Sequence, residues 1–229
     1  LAKKEAEAHQ LKNDGGAVAA GADVEGFTRV SLNKVSINLM WLNETKNEES
    51  TYIVDQIERE GFEVFGLEQI LKWMVLNPLS HVVYWYDVSK NTVKQVQTTL
   101  ELVQAKIAEV AAGRPELSLN SDNFSMRAIQ ELGYVSNNPG KKIFQGEKEN
   151  IYFKADLARI LAAIDTLKED TYEAYIYADW VVNPHSISKI YPHGFHDNGF
   201  MAIKSLSDGY PPWENSYMVF TRSTRNLIG

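Results

Sequence analysis

The sequence predicts an α/β domain built on a mostly parallel central sheet. Apolar runs with the composition of strands alternate with stretches of helical periodicity along most of the 229-residue chain. With 44% hydrophobic and 23% charged residues, the chain has the composition of a globular protein that buries a sizeable core. No apolar run is long enough for a membrane-spanning helix, and no internal repeat is evident.

The chain divides into a lead-in and one larger domain. Residues 1–30 are rich in alanine, glycine and charged side chains and lack sustained periodicity, so they predict a flexible or helical lead-in. Residues 31–229 predict a single domain. Because the chain begins at Leu1 and ends directly after an apolar run, we expect it to be a fragment of a longer protein.

The first half of this domain alternates strands with helices. Residues 35–42 have the composition and alternation of a strand. Residues 52–60 and 67–76 predict helices, and in the second of them apolar side chains recur at the spacing of one buried helical face. Residues 81–87 then predict a strand that ends in an acid, and residues 91–112 predict a long helix.

The second half begins with the least regular part of the chain. Residues 113–149 predict loops and one short helix at 124–132. Residues 151–168 predict an amphipathic helix, residues 174–182 a strand and residues 216–221 a last strand. Because strands and helices alternate, we expect helical crossovers that join strands of a parallel sheet.

Composition excludes several classes of function. A net charge of -7 and a pI near 5.3 argue against a nucleic-acid partner. The chain has no cysteine, which excludes disulfides, iron–sulfur clusters, cysteine-ligated zinc and thiol catalysis. No glycine-rich phosphate loop follows any strand, so another Rossmann-type nucleotide enzyme is the weaker alternative.

Two islands of charge interrupt the apolar segments of the second half. Asp179 stands in the apolar run 174–182, where a carboxylate without a partner costs free energy and therefore needs a cation or strong donors. Asp156 and Arg159 lie three positions apart in the preceding helix and share one face of it. A local ion pair near the positive end of the helix dipole is the simpler interpretation of that pair.

In the expected sheet, two of the acids lie at the ends of strands. Asp179 lies toward the end of its strand, and Asp87 ends an earlier strand in the same way. In open α/β sheets, ligands gather at the carboxyl ends of the strands. Each acid alone could be a turn former, but several acids at one sheet edge predict a binding site.

A second group of polar side chains lies in a later loop. His185, His193 and His196 are close in sequence, and Asp197 follows the last of them. Side chains of these types could ligate a metal ion. A solvated loop is the alternative.

Five short segments carry a set of motifs in a defined order. One strand ends in an aromatic residue, the next closes on Tyr-Asp, a helix carries Ala-Asp-x-x-Arg, a strand carries part of Tyr-x-Asp-x-Asp, and an acid-Asn-Ser segment comes late. The segments are 37–42, 85–87, 155–159, 177–181 and 214–216. In this order they resemble the sugar-nucleotide-dependent glycosyltransferases of the GT-A type, specifically the branch of glucosylating toxins and related bacterial effectors.

The resemblance implies a GT-A-like, Rossmann-type nucleotide-sugar-binding domain at residues 31–229. Trp41 would stack on the base of the donor, and a core tryptophan at a strand end is the alternative. Asp156 and Arg159 would contact the donor sugar, with Arg159 also compensating charge near the diphosphate. Asp179 would contact the ribose and sugar or a metal-bound water, and Asp87 would belong to the same donor-binding set. Asp156, Arg159 and Asp179 are the expected catalytic residues.

The resemblance also implies a divalent cation, Mn²⁺ or Mg²⁺, that bridges the donor phosphates and stabilises the departing nucleotide. Asp179, Glu214 and Ser216 are the expected metal ligands. The expected reaction transfers a sugar, with retention of the anomeric configuration, from a UDP-sugar to a protein or other hydroxyl acceptor. We therefore expect a soluble protein, secreted as a bacterial effector that acts in the host cytosol.

Two positions depart from the family pattern. Val181 stands where the family has the second acid of Asp-x-Asp, a direct metal ligand, and valine offers only its backbone carbonyl. Glu173 and Ala174 replace the usual Gly-Gly before the motif. The alternative function is therefore that of a catalytically degenerate GT-A-like domain that serves as a nucleotide-binding or protein-binding module of a bacterial effector.

Overall fold

The fold is described from a computed structural model that covers residues 25–43, 46, 50–56, 66–137, 151–180, 182–196, 199–204 and 213–223. For residues 55, 56, 203, 204 and 213–215 it describes the backbone alone. Within these residues the chain forms eight strands and five α-helices. The strands are β1 (Phe27–Thr28), β2 (Val35–Met40), β3 (His81–Tyr86), β4 (Phe124–Ala128), β5 (Ala174–Ala178), β6 (Phe195–His196), β7 (Phe200–Lys204) and β8 (Trp213–Thr221). The α-helices are α1 (Gly66–Leu76), α2 (Val93–Gly113), α3 (Gly133–Asn137), α4 (Ile151–Lys168) and α5 (Ile187–Ile190).

Six of the strands form one sheet in the order β4-β3-β2-β5-β8-β7. The first four strands in this order pair in parallel. Strand β8 pairs antiparallel with both β5 and β7. The central sheet is thus mostly parallel, which confirms the fold class that the sequence predicts.

Both faces of the sheet are covered by helices. All six residues of β2 are buried, including the polar Ser36 and Asn38, because both faces of this central strand are covered. One face packs against α1 and α2 through side chains such as Ile70, Trp73 and Val103. The other face packs against α4 through the small side chains of Ala158 and Ala162, which let the helix approach the sheet closely.

The chain changes direction across the sheet at β2. From β2 it continues to β3 and β4 on one side, and it returns to β5 on the other side of β2. The carboxyl ends of β2 and β5 therefore flank a topological switch point, where open α/β sheets bind ligands in the crevice between strands. The paired register of these two strands ends at Asn38 and Tyr177, so the crevice begins beyond that pair.

A two-stranded sheet ties the start of the described chain to a later loop. Phe27 pairs with His196 and Thr28 pairs with Phe195 in antiparallel β1 and β6. Gly194 precedes β6 with a φ of +92°, and a Cβ atom at this position would collide with the backbone carbonyl of Thr28. Glycine is therefore required here both by its conformation and by the close approach of two backbones.

Most of the predicted elements are confirmed. The helices predicted at 67–76, 91–112 and 151–168 correspond closely to α1, α2 and α4, and the strand predicted at 35–42 is β2. The last predicted strand, 216–221, is the second part of β8. Of the helix predicted at 52–60, the structure shows a short 3-10 turn at Ile53–Gln56, whereas Tyr52 precedes that turn and residues 57–60 lie outside the described part of the chain. Residues 1–24 of the lead-in and residues 138–149 also lie outside it. None of the described helices is both long and apolar enough to cross a membrane.

The prediction of a helix at residues 124–132 is wrong. Residues Phe124–Ala128 form the edge strand β4, and Ile129–Glu131 form a 3-10 turn after it. Pairing with β3 decides the structure of this segment, because backbone pairing and burial of Phe124 and Ala128 outweigh the local preference. The strand predicted at 174–182 ends at Ala178, so Asp179 is the first residue of the loop that follows.

Candidate functional site

Asp179 lies directly after β5, on one side of the switch point. Its backbone N–H donates to the carbonyl of Ser216 in β8 at 2.7 Å. Its carboxylate Oδ1 accepts a hydrogen bond from the backbone N–H of Trp180 at 2.7 Å. The side chain is 20% exposed, so the acid is anchored by the backbone at the edge of the sheet.

The guanidinium of Arg159 lies between two carboxylates. Its Nη1 is 3.1 Å from Oδ1 of Asp156, and its Nη2 is 4.0 Å from Oδ2 of Asp179. Its central carbon lies 4.5 Å from the ring centroid of Tyr177, which is a cation–π contact. Arg159 thus brings the two islands of charge together in space.

Burial differs sharply between the members of this group. The side chain of Arg159 is 12% exposed, whereas that of Asp156 is 46% exposed. The Nε–H of Arg159 is buried and meets no hydrogen-bond acceptor in the part of the chain that the structure describes. Arg159 is therefore the inner charge of the group and Asp156 the outer one.

Trp41 lies on the other side of the switch point. It follows β2 directly, and its backbone N–H donates to the carbonyl of Trp85 in β3 at 3.3 Å. Its side chain is partly buried against the core on the α1 and α2 face of the sheet. Its position is compatible with both interpretations of this residue, base stacking and core packing.

Asp87 has a different environment from the one expected of a ligand-binding acid. Its carboxylate is 1% exposed and accepts hydrogen bonds from the Ser89 backbone N–H at 2.8 Å, the Ser89 hydroxyl at 2.7 Å and the Gln130 amide at 2.6 Å. The ammonium of Lys154 is 2.5 Å from its other oxygen. We therefore interpret Asp87 as a residue that joins β3 to α4 rather than one that contacts a ligand.

The pKa of Asp87 reflects these contacts. Burial alone would raise it, but the hydrogen bonds from Lys154 and Ser89 and the charge of Lys154 outweigh burial and lower the pKa of this carboxyl below its ordinary value. Lys154 was not among the residues that the sequence singled out. The available signal was a lysine two positions before Asp156 on the same helix, at a helix end where the dipole disfavours a cation.

The expected metal ligands are described in part. Ser216 is the backbone neighbour of Asp179 across β5 and β8. Glu214 lies in β8, where the structure describes its backbone alone, and Val181 lies outside the described residues. Within the described part of the chain, no group of three or more His, Asp or Glu side chains is placed to hold a metal ion.

The predicted histidine group does not come together among the described residues. The Nε2 of His185 lies 3.0 Å from the hydroxyl of Tyr217, and its ring packs edge-on against Trp73. Burial lowers the pKa of His185 below its ordinary value. His196 instead contacts Phe27 in the small sheet, and Asp197 lies outside the described residues.

Comparison with known proteins is informative for the fold alone. No protein-family model matches the chain, and no curated protein matches it. The structure of a transferase with two cysteine-to-serine substitutions covers 83% of this chain and 73% of its own, at 12% sequence identity and a TM-score of 0.50. The structure described as PaToxG Glycosyltransferase covers 82% of this chain and 54% of its own, at 14% identity and a TM-score of 0.40. Another described as a transferase covers 83% and 74%, at 10% identity and a TM-score of 0.42.

At 12% sequence identity, the similarity to the transferase with two cysteine-to-serine substitutions shows a shared fold and nothing finer. The chain therefore has a mixed α/β fold with helices on both faces of a mostly parallel sheet, and a transferase of known structure shares that fold.

Proposed function

We propose that the protein transfers a sugar from a nucleotide-sugar donor to a hydroxyl group of an acceptor, and that the donor binds at the carboxyl edge of the sheet between Trp41 and Asp179. The observation that carries the proposal is the guanidinium of Arg159, held between Asp156 and Asp179 beside the switch point. Such a group offers both kinds of contact that a sugar diphosphate requires: N–H donors for phosphate oxygens and carboxylate acceptors for sugar hydroxyls.

The described residues would divide the donor between them. Trp41 would stack on the base, and the guanidinium of Arg159 would donate to an oxygen of the diphosphate. Asp156, the more exposed acid, would accept hydrogen bonds from hydroxyls of the sugar. In the reaction, the bond between the anomeric carbon and the diphosphate oxygen breaks, the nucleoside diphosphate leaves, and the acceptor oxygen bonds to that carbon while its proton passes to the departing diphosphate. We propose a UDP-linked donor, a protein or other hydroxyl acceptor and retention of the anomeric configuration.

The charges of the group support participation of a divalent cation. Two carboxylates and one guanidinium leave a net negative charge where an anionic diphosphate would bind. Oxygen ligands from one or two carboxylates, completed by substrate phosphates, are the usual way in which proteins hold Mg²⁺. Asp179, Ser216 and Glu214 would hold the ion, and Mn²⁺ or Mg²⁺ bound there would supply positive charge for the departing diphosphate.

The proposal is tested by incubating the purified protein with UDP-sugars and MnCl₂ and measuring release of UDP. We expect release by the wild-type protein, loss of most of it in Asp179→Asn, and retention in Asp165→Asn. Asp165 is a matched control because it lies on α4, and its carboxylate accepts the Gly133 N–H outside the group around Arg159. Absence of both UDP binding and UDP release from the wild-type protein, with MnCl₂ and with EDTA, would contradict the proposal.

A degenerate domain that binds a nucleotide or a protein without turnover is the second candidate, and Val181 favours it. Valine at the position of the second acid removes one side-chain oxygen from the expected metal shell. This candidate predicts UDP binding that is unaffected by EDTA and an absence of UDP release. A gain of turnover in Val181→Asp would support a site degenerated by this substitution, and no gain would count against that explanation.

A further inference from the structure

Trp180 connects the two sides of the switch point through both of its N–H groups. Its backbone N–H donates to the carboxylate of Asp179 at 2.7 Å. Its indole Nε1–H donates to the carbonyl of Met40 at 3.0 Å. Met40 is the last residue of β2 and directly precedes Trp41. The indole of Trp180 thus bonds to the end of β2 that carries Trp41, and the backbone N–H of Trp180 bonds to the acid that follows β5.

The indole takes the place of a missing backbone donor. The paired register of β2 and β5 ends at Asn38 and Tyr177, two residues before Met40. The N–H of Trp41 points toward β3, where it donates to Trp85. Because peptide bonds in the described chain are trans, the Met40 carbonyl of the same peptide points the opposite way, toward β5. A buried carbonyl without a partner costs free energy, and the indole satisfies this one.

The indole is buried on one face of the sheet. Trp180 is 2% exposed, and its ring packs edge-to-face on Tyr84 with centroids 5.4 Å apart. It belongs to the core on the α1 and α2 face, whereas Tyr177, the ring beneath Arg159, belongs to the core on the α4 face. Trp180 is therefore placed to act on the crevice without contacting a ligand that lies beside Arg159.

We propose that Trp180 is a positioning residue that sets the distance between Trp41 and Asp179, and with it the spacing between the base end and the diphosphate end of a bound donor. This inference rests on the proposed function. A ligand that reaches both sides of the crevice gains affinity from a fixed spacing, because the second contact then forms without ordering the strand ends. A ligand that reaches one side alone does not gain in this way.

The test compares two indole deletions. Trp180→Phe keeps an aromatic ring and removes the bond to Met40. Trp85→Phe is the matched control, since the indole of Trp85 is also buried and donates to Asn38 Oδ1 at 2.8 Å inside the sheet. Dissociation constants are measured for UDP, which would span the crevice, and for uridine, which would reach the Trp41 side.

We expect Trp180→Phe to weaken UDP binding by about tenfold more than uridine binding. Trp85→Phe should leave the ratio of the two dissociation constants unchanged. A purely structural effect would weaken both ligands alike. An unchanged UDP-to-uridine ratio in Trp180→Phe overturns the inference, and so does an equal shift in both variants. If Trp180→Phe does not fold, Trp180→Met, which also removes the bond to Met40 and fills the space with a flexible apolar side chain, replaces it with the same expected shift and the same overturning result.

A measurement without ligand separates this inference from the proposed function. The chain has five tryptophans, which 5-fluorotryptophan labels for fluorine NMR. We expect the Trp41 signal to broaden in Trp180→Phe and to stay sharp in Trp85→Phe, because the end of β2 is released only in the first. A sharp Trp41 signal in Trp180→Phe overturns the positioning role. A wild-type protein that binds no nucleotide overturns the proposed function, while this signal still decides the role of Trp180.

Discussion

Lys154 and Asp87 form an ion pair in the interior of the protein, with the ammonium nitrogen 2.5 Å from the carboxylate oxygen and the two side chains 8% and 1% exposed. The pair joins the end of β3 to the first turns of α4, two residues before Asp156. The position of the group around Arg159 therefore depends on a contact that no ligand needs to touch.

Breaking this pair should be costly. Lys154→Met leaves the buried carboxylate of Asp87 without its cation, and we expect the free energy of unfolding to fall by about 3–5 kcal/mol. Chemical denaturation followed by circular dichroism measures the loss. The double variant Lys154→Met, Asp87→Asn should recover part of it, because no buried charge is then left unpaired. Equal midpoints for Lys154→Met and the wild-type protein would contradict this account of the pair.

Arg159 should matter for donor binding, and Arg127 should not. Both guanidinium groups lie over aromatic rings, Arg159 over Tyr177 and Arg127 over Trp85 at 5.0 Å, and both contact acids. Arg127 contacts Glu169 at 3.2 Å, outside the proposed site. We expect Arg159→Gln to weaken UDP binding by at least about tenfold, the effect of one lost charged hydrogen bond, and Arg127→Gln to leave it within about twofold. Isothermal titration calorimetry measures both, and equal affinities would argue against Arg159 as the diphosphate contact.

Stability should fall on mild acidification because of His185. Burial lowers the pKa of this histidine in the folded state, so the unfolded chain binds a proton at a higher pH than the native protein does. The free energy of unfolding therefore decreases as the pH falls below the ordinary histidine value and keeps decreasing until the native pKa is passed. His185→Gln should show a smaller decrease between about pH 7.5 and about pH 5.5. A residual decrease is expected from His81, whose pKa is lowered by burial and by the charge of Arg127. Identical pH dependences for the variant and the wild-type protein would show that His185 is not responsible.

Gly194 should resist substitution. An alanine there must adopt a φ of +92° and would press its Cβ against the Thr28 carbonyl, so we expect a loss of about 1–3 kcal/mol or more in Gly194→Ala. Gly113, at the end of α2, has open space around its Cα, and Gly113→Ala should be neutral or slightly stabilising. Thermal unfolding of the two variants side by side checks the contrast. A Gly194→Ala protein as stable as Gly113→Ala would mean that β1 moves away from β6 without cost.

The sequence predicted well what local patterns determine. The periodicity of 151–168 corresponds to α4, and the spacing of Asp156 and Arg159 correctly placed both on one face. The prediction for residues 124–132 was wrong, because the strand β4 forms through pairing with β3, and the local sequence of this segment favours a helix. Lys154 was missed for a related reason: its partner is 67 positions away, and a lone lysine in a helix reads as exposed.

The same distinction applies to Trp180. In the sequence, a tryptophan next to an acid at the end of a strand is interpreted as a core residue. The hydrogen bond from its indole to Met40 could not be predicted, because it joins residues 140 positions apart. The roles assigned to Trp41, Asp156, Arg159, Asp179, Glu214 and Ser216 remain predictions that ligand-binding measurements can test.

The antiparallel pairing of β8 with β5 also determines which truncated forms of the protein can fold. All five residues of β5 are buried, and β8 occupies its outer edge from Ala174 to Ala178. A polypeptide that stops short of β8 would present β5 as an unprotected edge strand with apolar side chains on both faces, which invites pairing between copies. Expression trials of shorter pieces should therefore retain β8, since without it we expect insoluble material rather than a smaller folded unit.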